Sequence, residues 1–121
     1  MKDGPLACIY LAGKYRDVSP WHVELNIRNV ERVALDVAGL GMVPVCTHTM
    51  YRYFDGQITA QFWIDATLAV MRRCDAVLVC GDNWLTSSGT LNEIAVADGI
   101  GIPVFHDLAQ LVGHAVKNGW V

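Results

Sequence analysis

Short apolar runs alternate with longer segments of mixed character along the whole chain. The apolar runs, bounded by glycine or polar residues, are 6–13, 42–46, 75–81 and 102–105. The longer segments, which favour helices, are 22–40, 57–73, 88–100 and 107–118. In the first of these, apolar residues recur at three- and four-residue steps with charged residues opposite, as in an amphipathic helix. The pattern therefore predicts a β-α-β-α-β-α-β-α order.

Strands and helices that alternate at this spacing predict a flavodoxin- or Rossmann-like α/β fold. Such a fold is a doubly wound parallel sheet, here of four to five strands, with helices on both faces in three αβα layers. The 121 residues, 53% of them hydrophobic and 17% charged, fit one domain over 1–121 with a sizeable core. Because proline has no N–H to donate, Pro44 predicts that the second strand lies at the sheet edge.

Composition argues against several classes of partner. A net charge of −3, with scattered Lys and Arg, disfavours binding to a nucleic-acid polymer. Apolar runs stay well short of the roughly 20 residues that span a bilayer, and the N-terminal one is too short for a signal peptide, so we expect a cytoplasmic protein without a membrane partner. The cysteines lack CxxC or zinc-finger spacing and favour free thiols over a metal site; they are Cys8, Cys46, Cys74 and Cys80.

Ligands of parallel sheets bind at the carboxyl ends of the strands, where the strand order reverses. With a flavodoxin-like order, residues 13–17 after the first strand would face residues 84–89 after the third. The stretch 87–90, Ser-Ser-Gly-Thr, opens a predicted helix, whose free amides and positive dipole end suit a phosphate or another anion. A plain helix cap is the alternative. Lys14 and Arg16 either add positive charge across the crevice or are solvated loop residues.

Glu93 has two interpretations. Thr90 and Glu93 have the spacing of a capping box, in which the carboxylate satisfies an amide at the helix start. On a helix, however, Glu93 falls between Ala97 and Ile100, and an acid among apolar neighbours near the ligand crevice favours a pocket carboxylate. The residues around Glu93 leave both interpretations open.

Three further side chains are candidates for chemistry. Asp65 lies in an apolar helix, so it either faces a cleft, pairs with Arg72 or Arg73, or is exposed. His48 and Tyr51 either hold a base by stacking and hydrogen bonding or simply pack within their loop.

Several stretches resemble the nucleoside 2-deoxyribosyltransferase family, which includes deoxynucleotide N-glycosidases and a group of small bacterial proteins. They are IYLAGKYRD, CDAVLV, SSGTLNEIAVA and GIPVF. Their order and spacing match the family over nearly the whole chain, whereas the segment 47–66 matches little.

The resemblance implies an enzyme that cleaves or exchanges the N-glycosidic bond of a 2'-deoxynucleoside or its 5'-monophosphate, without metal or cofactor. It places the nucleophile on Glu93, the tyrosine that orients it on Tyr10, and the 5' pocket on Ser87 and Gly89. Homodimers or higher homo-oligomers are also implied, and four tryptophans in so small a domain favour them. The candidate catalytic residues are Tyr10, Asp65 and Glu93. The candidate substrate-binding residues are Gly13, Lys14, Arg16, His48, Tyr51, Trp84, Ser87, Ser88 and Gly89.

The sequence departs from the family pattern at the base-protonating aspartate. That position is Thr67 here, and Asp65 lies two residues earlier. Either the helix register differs, or the general acid is missing and Asp82 or His48 would have to substitute. Leu91 replaces a glycine, and the longer C-terminal segment of the transferases is missing. The alternative function is accordingly a catalytically inactive nucleotide-binding module of the same fold.

Overall fold

A four-stranded parallel sheet forms the centre of the structure, a computed structural model that describes residues 4–121. The strands are β1 (Cys8–Ala12), β2 (Val43–Val45), β3 (Ala76–Val79) and β4 (Val104–Phe105). Their order is β2-β1-β3-β4, and every neighbouring pair is parallel. The flavodoxin-like α/β fold is therefore confirmed, as is the edge position of the strand that contains Pro44.

Helices cover the sheet, and the four predicted ones are all present. The helices are α1 (Pro20–Gly39), α2 (Thr47–Met50), α3 (Ala60–Met71), α4 (Ser88–Ile100) and α5 (Leu108–Lys117), with a 3₁₀ turn at Trp84–Thr86. The four-residue α2 and the 3₁₀ turn were not predicted, because elements of one turn are too short to show a periodic pattern. None of the helices in residues 4–121 is long and apolar enough to cross a membrane.

Side-chain caps fix where the long helices begin. Ser19 accepts a hydrogen bond from the His22 amide ahead of Pro20, which is pre-set for the first helical position. Thr59 and Asp107 accept equivalent bonds at the starts of α3 and α5. At the other end of α4, Gly101 takes a left-handed conformation with φ 82° that closes the helix.

Alternation along β1 divides the core into two layers. Ile9 and Leu11 pack on one face with Val30 and Val37 of α1 and with Leu111 of α5. A side chain of this size contributes about 1.5–3 kcal/mol when fully buried. The opposite face forms the smaller layer, which contains Tyr10, Ala12, Met71, Val77 and Ala97. Tyr10 is thus directed toward α3 and α4.

All four cysteines are free thiols, as predicted. Cys80 is buried in the core and the other three are partly buried. Burial raises the pKa of the Cys80 thiol to about 12 and that of Cys74 to about 11, so both remain protonated hydrophobic side chains at neutral pH.

Candidate functional site

A cavity of about 400 Å³ opens at the carboxyl ends of β1, β2 and β3. Its lining comes from the residues that follow these strands, 13–16, 47–55 and 86–93, and from α3. The predicted approach of the first and third of these segments is present, with the Lys14 Nζ atom 3.5 Å from the Thr86 hydroxyl. The volume lies within the range of small-molecule sites.

The cavity brings together most of the candidate residues. Ten of the twelve line it: Tyr10, Gly13, Lys14, Arg16, His48, Tyr51, Ser87, Ser88, Gly89 and Glu93. They come from three separate segments of the chain, which the parallel sheet collects at one edge.

Asp65 and Trp84 lie outside this lining. The Asp65 carboxylate is exposed and accepts a hydrogen bond of 2.8 Å from the Gln61 side chain. Since Ile64, Thr67 and Leu68 occupy the cavity side of α3 at helical spacing, Asp65 turns away from it. Trp84, in the 3₁₀ turn, instead packs against the His106 ring with centroids 4.8 Å apart. Both assignments to the site are therefore corrected.

The Glu93 carboxylate is hydrogen-bonded to Tyr10. The Tyr10 hydroxyl donates to Glu93 Oε2 and lies 3.2 Å from the Thr47 hydroxyl. Burial raises the pKa of the Glu93 carboxyl to about 7, and the bond from Tyr10 offsets part of that rise. Burial and the nearby carboxylate together raise the pKa of Tyr10 well above its usual value, so this hydroxyl remains a donor. The site thus holds a carboxylate that titrates near neutral pH.

The start of α4 decides between the two interpretations of Glu93. Ser87 is the N-cap, and its hydroxyl accepts from the Thr90 amide at 3.2 Å and from the Thr90 hydroxyl at 2.9 Å. A capping box on Thr90 would require the helix to begin three residues later, so that interpretation is wrong. Ser88 and Gly89 occupy the first turn and line the cavity, where the positive end of the helix dipole lies.

His48 is a buried histidine on α2. Its Nε2 atom is 3.2 Å from the Lys14 carbonyl, and its ring packs edge-on against Tyr15 with centroids 5.6 Å apart. Burial lowers the pKa of this imidazole below its usual value. Within residues 4–121, Nδ1 has no hydrogen-bond partner, which makes it an unsatisfied polar atom beside the cavity.

Several residues that line the cavity were not predicted from the sequence, most notably Tyr15, Asp55 and Trp63. The Tyr15 hydroxyl donates to Asp55 Oδ1 at 2.8 Å and accepts from the Tyr53 amide at 3.2 Å. The Trp63 indole N–H donates to the Gln57 carbonyl at 2.8 Å. For Asp55, the polar and aromatic character of residues 51–57 was the available signal, but it did not specify which side chains face the cavity.

The segment 51–58, which carries Asp55, is tied to α1 through Arg52. One guanidinium nitrogen lies 3.0 Å from Glu24 and the other lies 3.1 Å from Glu31. Near the ends of this segment, Tyr53 and Ile58 adopt positive φ angles of 59° and 60°, which non-glycine residues rarely do. The path of this segment is therefore set by specific contacts rather than by local propensity.

Comparison with known proteins gives a family but no activity. Residues 7–107 match the model of a domain of unknown function, DUF7768. No curated protein matches the chain.

Proposed function

We propose that this chain, which belongs to the DUF7768 family, cleaves or exchanges the N-glycosidic bond of a 2'-deoxynucleoside or its 5'-monophosphate. The observation that carries this proposal is the bond from the buried Tyr10 hydroxyl to the Glu93 carboxylate inside the cavity. Ser87 already caps α4, so Glu93 has no capping role. Its position and raised pKa support a chemical role.

In the proposed reaction, Glu93 acts as the nucleophile. A carboxylate oxygen forms a bond to the anomeric carbon while the C–N bond breaks, and the electron pair of that bond leaves with the base. Water or a second base then attacks the glycosyl ester, and the carboxylate is released. Because Tyr10 holds Oε2, Oε1 is the atom that attacks. Tyr10 also keeps the carboxylate in place between the two steps.

The proposed 5' end of the substrate lies at the start of α4. Ser87, Ser88 and Gly89 line the cavity there, and Lys14 reaches toward them through its 3.5 Å contact with Thr86. Helix-terminal amides and a nearby ammonium group favour an anion. These features support a 5'-phosphate over a bare 5'-hydroxyl.

The second candidate function is nucleotide binding without catalysis, and Thr67 favours it. Thr67 lines the cavity at the position where the resemblance places a base-protonating aspartate, and its hydroxyl donates to the Ile64 carbonyl at 2.9 Å. A threonine cannot protonate a departing base as a carboxyl can. A substrate whose base requires that proton would bind without turnover.

A chromatographic assay of deoxynucleosides and their monophosphates separates the two candidates. Release or exchange of a base by the native protein, and its loss in Glu93→Gln, supports the glycosidase. Asp65→Asn is the matched control, because it removes an exposed carboxylate of the neighbouring helix outside the cavity. Thermal stabilisation by a nucleotide without base release would favour the binding module, and full activity in Glu93→Gln would exclude the proposed nucleophile.

The setting that we propose is the cytoplasm. Four free thiols suit a reducing compartment, where disulfides are rare.

A further inference from the structure

The cavity has two chemically different ends, because Lys14 and Tyr15 turn in opposite directions. The Lys14 ammonium group approaches Thr86 and lies 3.6 Å from the Asp17 carboxylate. The next residue, Tyr15, bonds instead to Asp55 of the segment 51–58. Positive charge therefore lies beside the start of α4, whereas a carboxylate lies on the opposite side.

Aromatic rings surround the end that contains Asp55. Tyr51 and Trp63 pack with ring centroids 5.1 Å apart, and the Trp63 indole is fixed by its bond to Gln57. The Tyr15 ring completes this side, and its hydroxyl holds Asp55 Oδ1. We refer to Tyr15, Tyr51, Asp55 and Trp63 as the aromatic-carboxylate subsite.

Aromatic faces and a carboxylate together attract a flat cation. Rings bind a positive charge through their quadrupole, more strongly when water is excluded, and a carboxylate adds direct attraction. Lys14 would oppose a cation, but its charge is directed toward Thr86 and is paired with Asp17. Arg16 also lines the cavity; because Arg16 and Asp55 are both exposed, solvent weakens the repulsion from Arg16 and the attraction from Asp55 alike without removing either.

The leaving group of the proposed reaction also favours a positively charged base. Among residues 4–121, the carboxylates that line the cavity are Glu93 and Asp55, and Glu93 is the proposed nucleophile. A neutral base departs as an anion and needs a proton, for which Thr67 offers no acid. A base joined to the sugar through a quaternary ring nitrogen takes up the C–N electron pair and departs neutral, so no proton donor is needed.

We propose that the aromatic-carboxylate subsite binds a positively charged, N-alkylated heterocycle, so that the substrates are N-glycosides of a cationic base. This inference rests on the proposed N-glycosidase function. In the balanced reaction, Glu93 forms the bond to the anomeric carbon and the ring nitrogen keeps the electron pair of the broken bond. Water then cleaves the glycosyl ester, which yields the free sugar, the carboxylate and one proton released to solvent.

The test compares two small probes that differ mainly in charge. Binding of 1-methylnicotinamide, a pyridinium cation, and of neutral nicotinamide is measured by calorimetry with the native protein. We expect the cation to bind about tenfold more tightly, in line with a cation–π contact in a partly desolvated site. Asp55→Asn and Trp63→Leu should each remove most of this preference, and Asp65→Asn, which changes a carboxylate outside the cavity, should keep it.

Equal affinity for the two probes would overturn the subsite, as would an unchanged preference in Asp55→Asn. These outcomes are independent of turnover. A charge preference in a protein that cleaves no N-glycoside would keep the subsite and reject the proposed reaction. Cleavage of neutral deoxynucleosides by a protein without the preference would reject the subsite and keep Glu93 as nucleophile.

Discussion

The Tyr10 hydroxyl donates a hydrogen bond to the Glu93 carboxylate, although the two residues lie 83 positions apart in the chain. Tyr10 is 1% exposed and belongs to β1, while Glu93 belongs to α4. The two elements meet because β1 and β3 are neighbours and α4 follows β3 across the sheet. A donor fixed in the core thus holds a carboxylate at the edge of the cavity, which is the arrangement that a carboxylate nucleophile needs.

Removing the Tyr10 hydroxyl should weaken the proposed catalysis. In Tyr10→Phe the carboxylate loses a donor, and hydrogen bonds to charged groups contribute about 1.5–3 kcal/mol, so we expect base release to fall about ten- to a hundredfold. Because that bond lowers the pKa of Glu93, the rising limb of the pH–rate profile should also move to higher pH. Steady-state rates across pH measure both effects.

Thr47→Val is the control for Tyr10→Phe. It removes the hydroxyl that lies 3.2 Å from the Tyr10 oxygen and leaves the bond to Glu93 in place. We expect a smaller decrease in the rate of base release and no shift of the pH–rate profile. An unchanged pH profile in Tyr10→Phe would show that Tyr10 does not tune the carboxylate.

The raised pKa of Glu93 predicts how stability depends on pH. A carboxyl whose pKa is raised from 4.5 to about 7 on folding binds its proton more tightly in the folded state. Its contribution is most favourable below pH 4.5 and is lost as pH rises toward 7. Relative to Glu93→Gln, the native protein should therefore lose stability over this window, at about 1.4 kcal/mol for each pKa unit as an upper bound.

Urea unfolding of the native protein and Glu93→Gln at pH 4.5 and pH 8 checks this. The free energy of unfolding of the variant should exceed that of the native protein at the higher pH and approach it at the lower one. A difference that is constant across pH would mean that the carboxyl is not desolvated.

Much of the fold follows from the sequence pattern, and the limits of that pattern have physical causes. The helix over 88–100 was predicted with its observed bounds, and in the structure Ser87 caps its start and Gly101 closes its end. The role of Glu93 stayed open because Ser87 and Thr90 are both good caps, and only the folded chain selects Ser87. Asp55 could not be predicted, since its position depends on the contacts of Tyr15 and Arg52 with distant residues.

The Arg52 contacts with α1 should order the segment that carries Asp55. Arg52→Met removes the contacts with Glu24 and Glu31, so we expect faster amide hydrogen exchange in residues 51–58. Binding of 1-methylnicotinamide should weaken severalfold, because a subsite that is less ordered before binding loses more conformational entropy when the ligand binds.

Arg28→Met is the matched control. Arg28 also pairs with Glu24, at 3.0 Å, but it belongs to α1 itself and does not contact the segment 51–58 through that pair. Exchange in 51–58 should then remain at the native rate. Equal protection of this segment in both variants would show that Arg52 does not order it.

Exposed apolar side chains support a homo-oligomer, which we expect to be a dimer. Leu35 on α1 is 75% exposed, and a groove beside it is lined by Pro44 of the edge strand and by Met50. Contiguous apolar surface of this kind marks interfaces. Sedimentation should give a dimer at micromolar concentration, and Leu35→Lys should shift it toward monomer. Val116→Lys, on the exposed side of α5, is the control; a native monomer would contradict the prediction.

The start of α4 predicts a preference for a 5'-phosphate over a 5'-hydroxyl. Ser88 and Gly89 present the first turn of α4 to the cavity, and Lys14 and Arg16 add positive charge on the same lining. A phosphate would gain charge-assisted bonds from these groups, whereas a hydroxyl would gain none of the ionic attraction. We expect a deoxynucleoside 5'-monophosphate to bind at least about tenfold more tightly than its nucleoside, which corresponds to about 1.4 kcal/mol.

Arg16→Ala tests whether the positive charge of Arg16 contributes to the phosphate preference. Its control is Arg72→Ala, since Arg72 is an exposed arginine that follows α3 and does not line the cavity. The first variant should lose most of the phosphate preference and the second should retain it. Added salt should reduce the preference of the native protein, because Arg16 is exposed and its attraction is screened. Equal affinities for nucleoside and monophosphate in the native protein would remove the anion from the proposed substrate and leave the uncharged 5'-hydroxyl as the group that α4 faces.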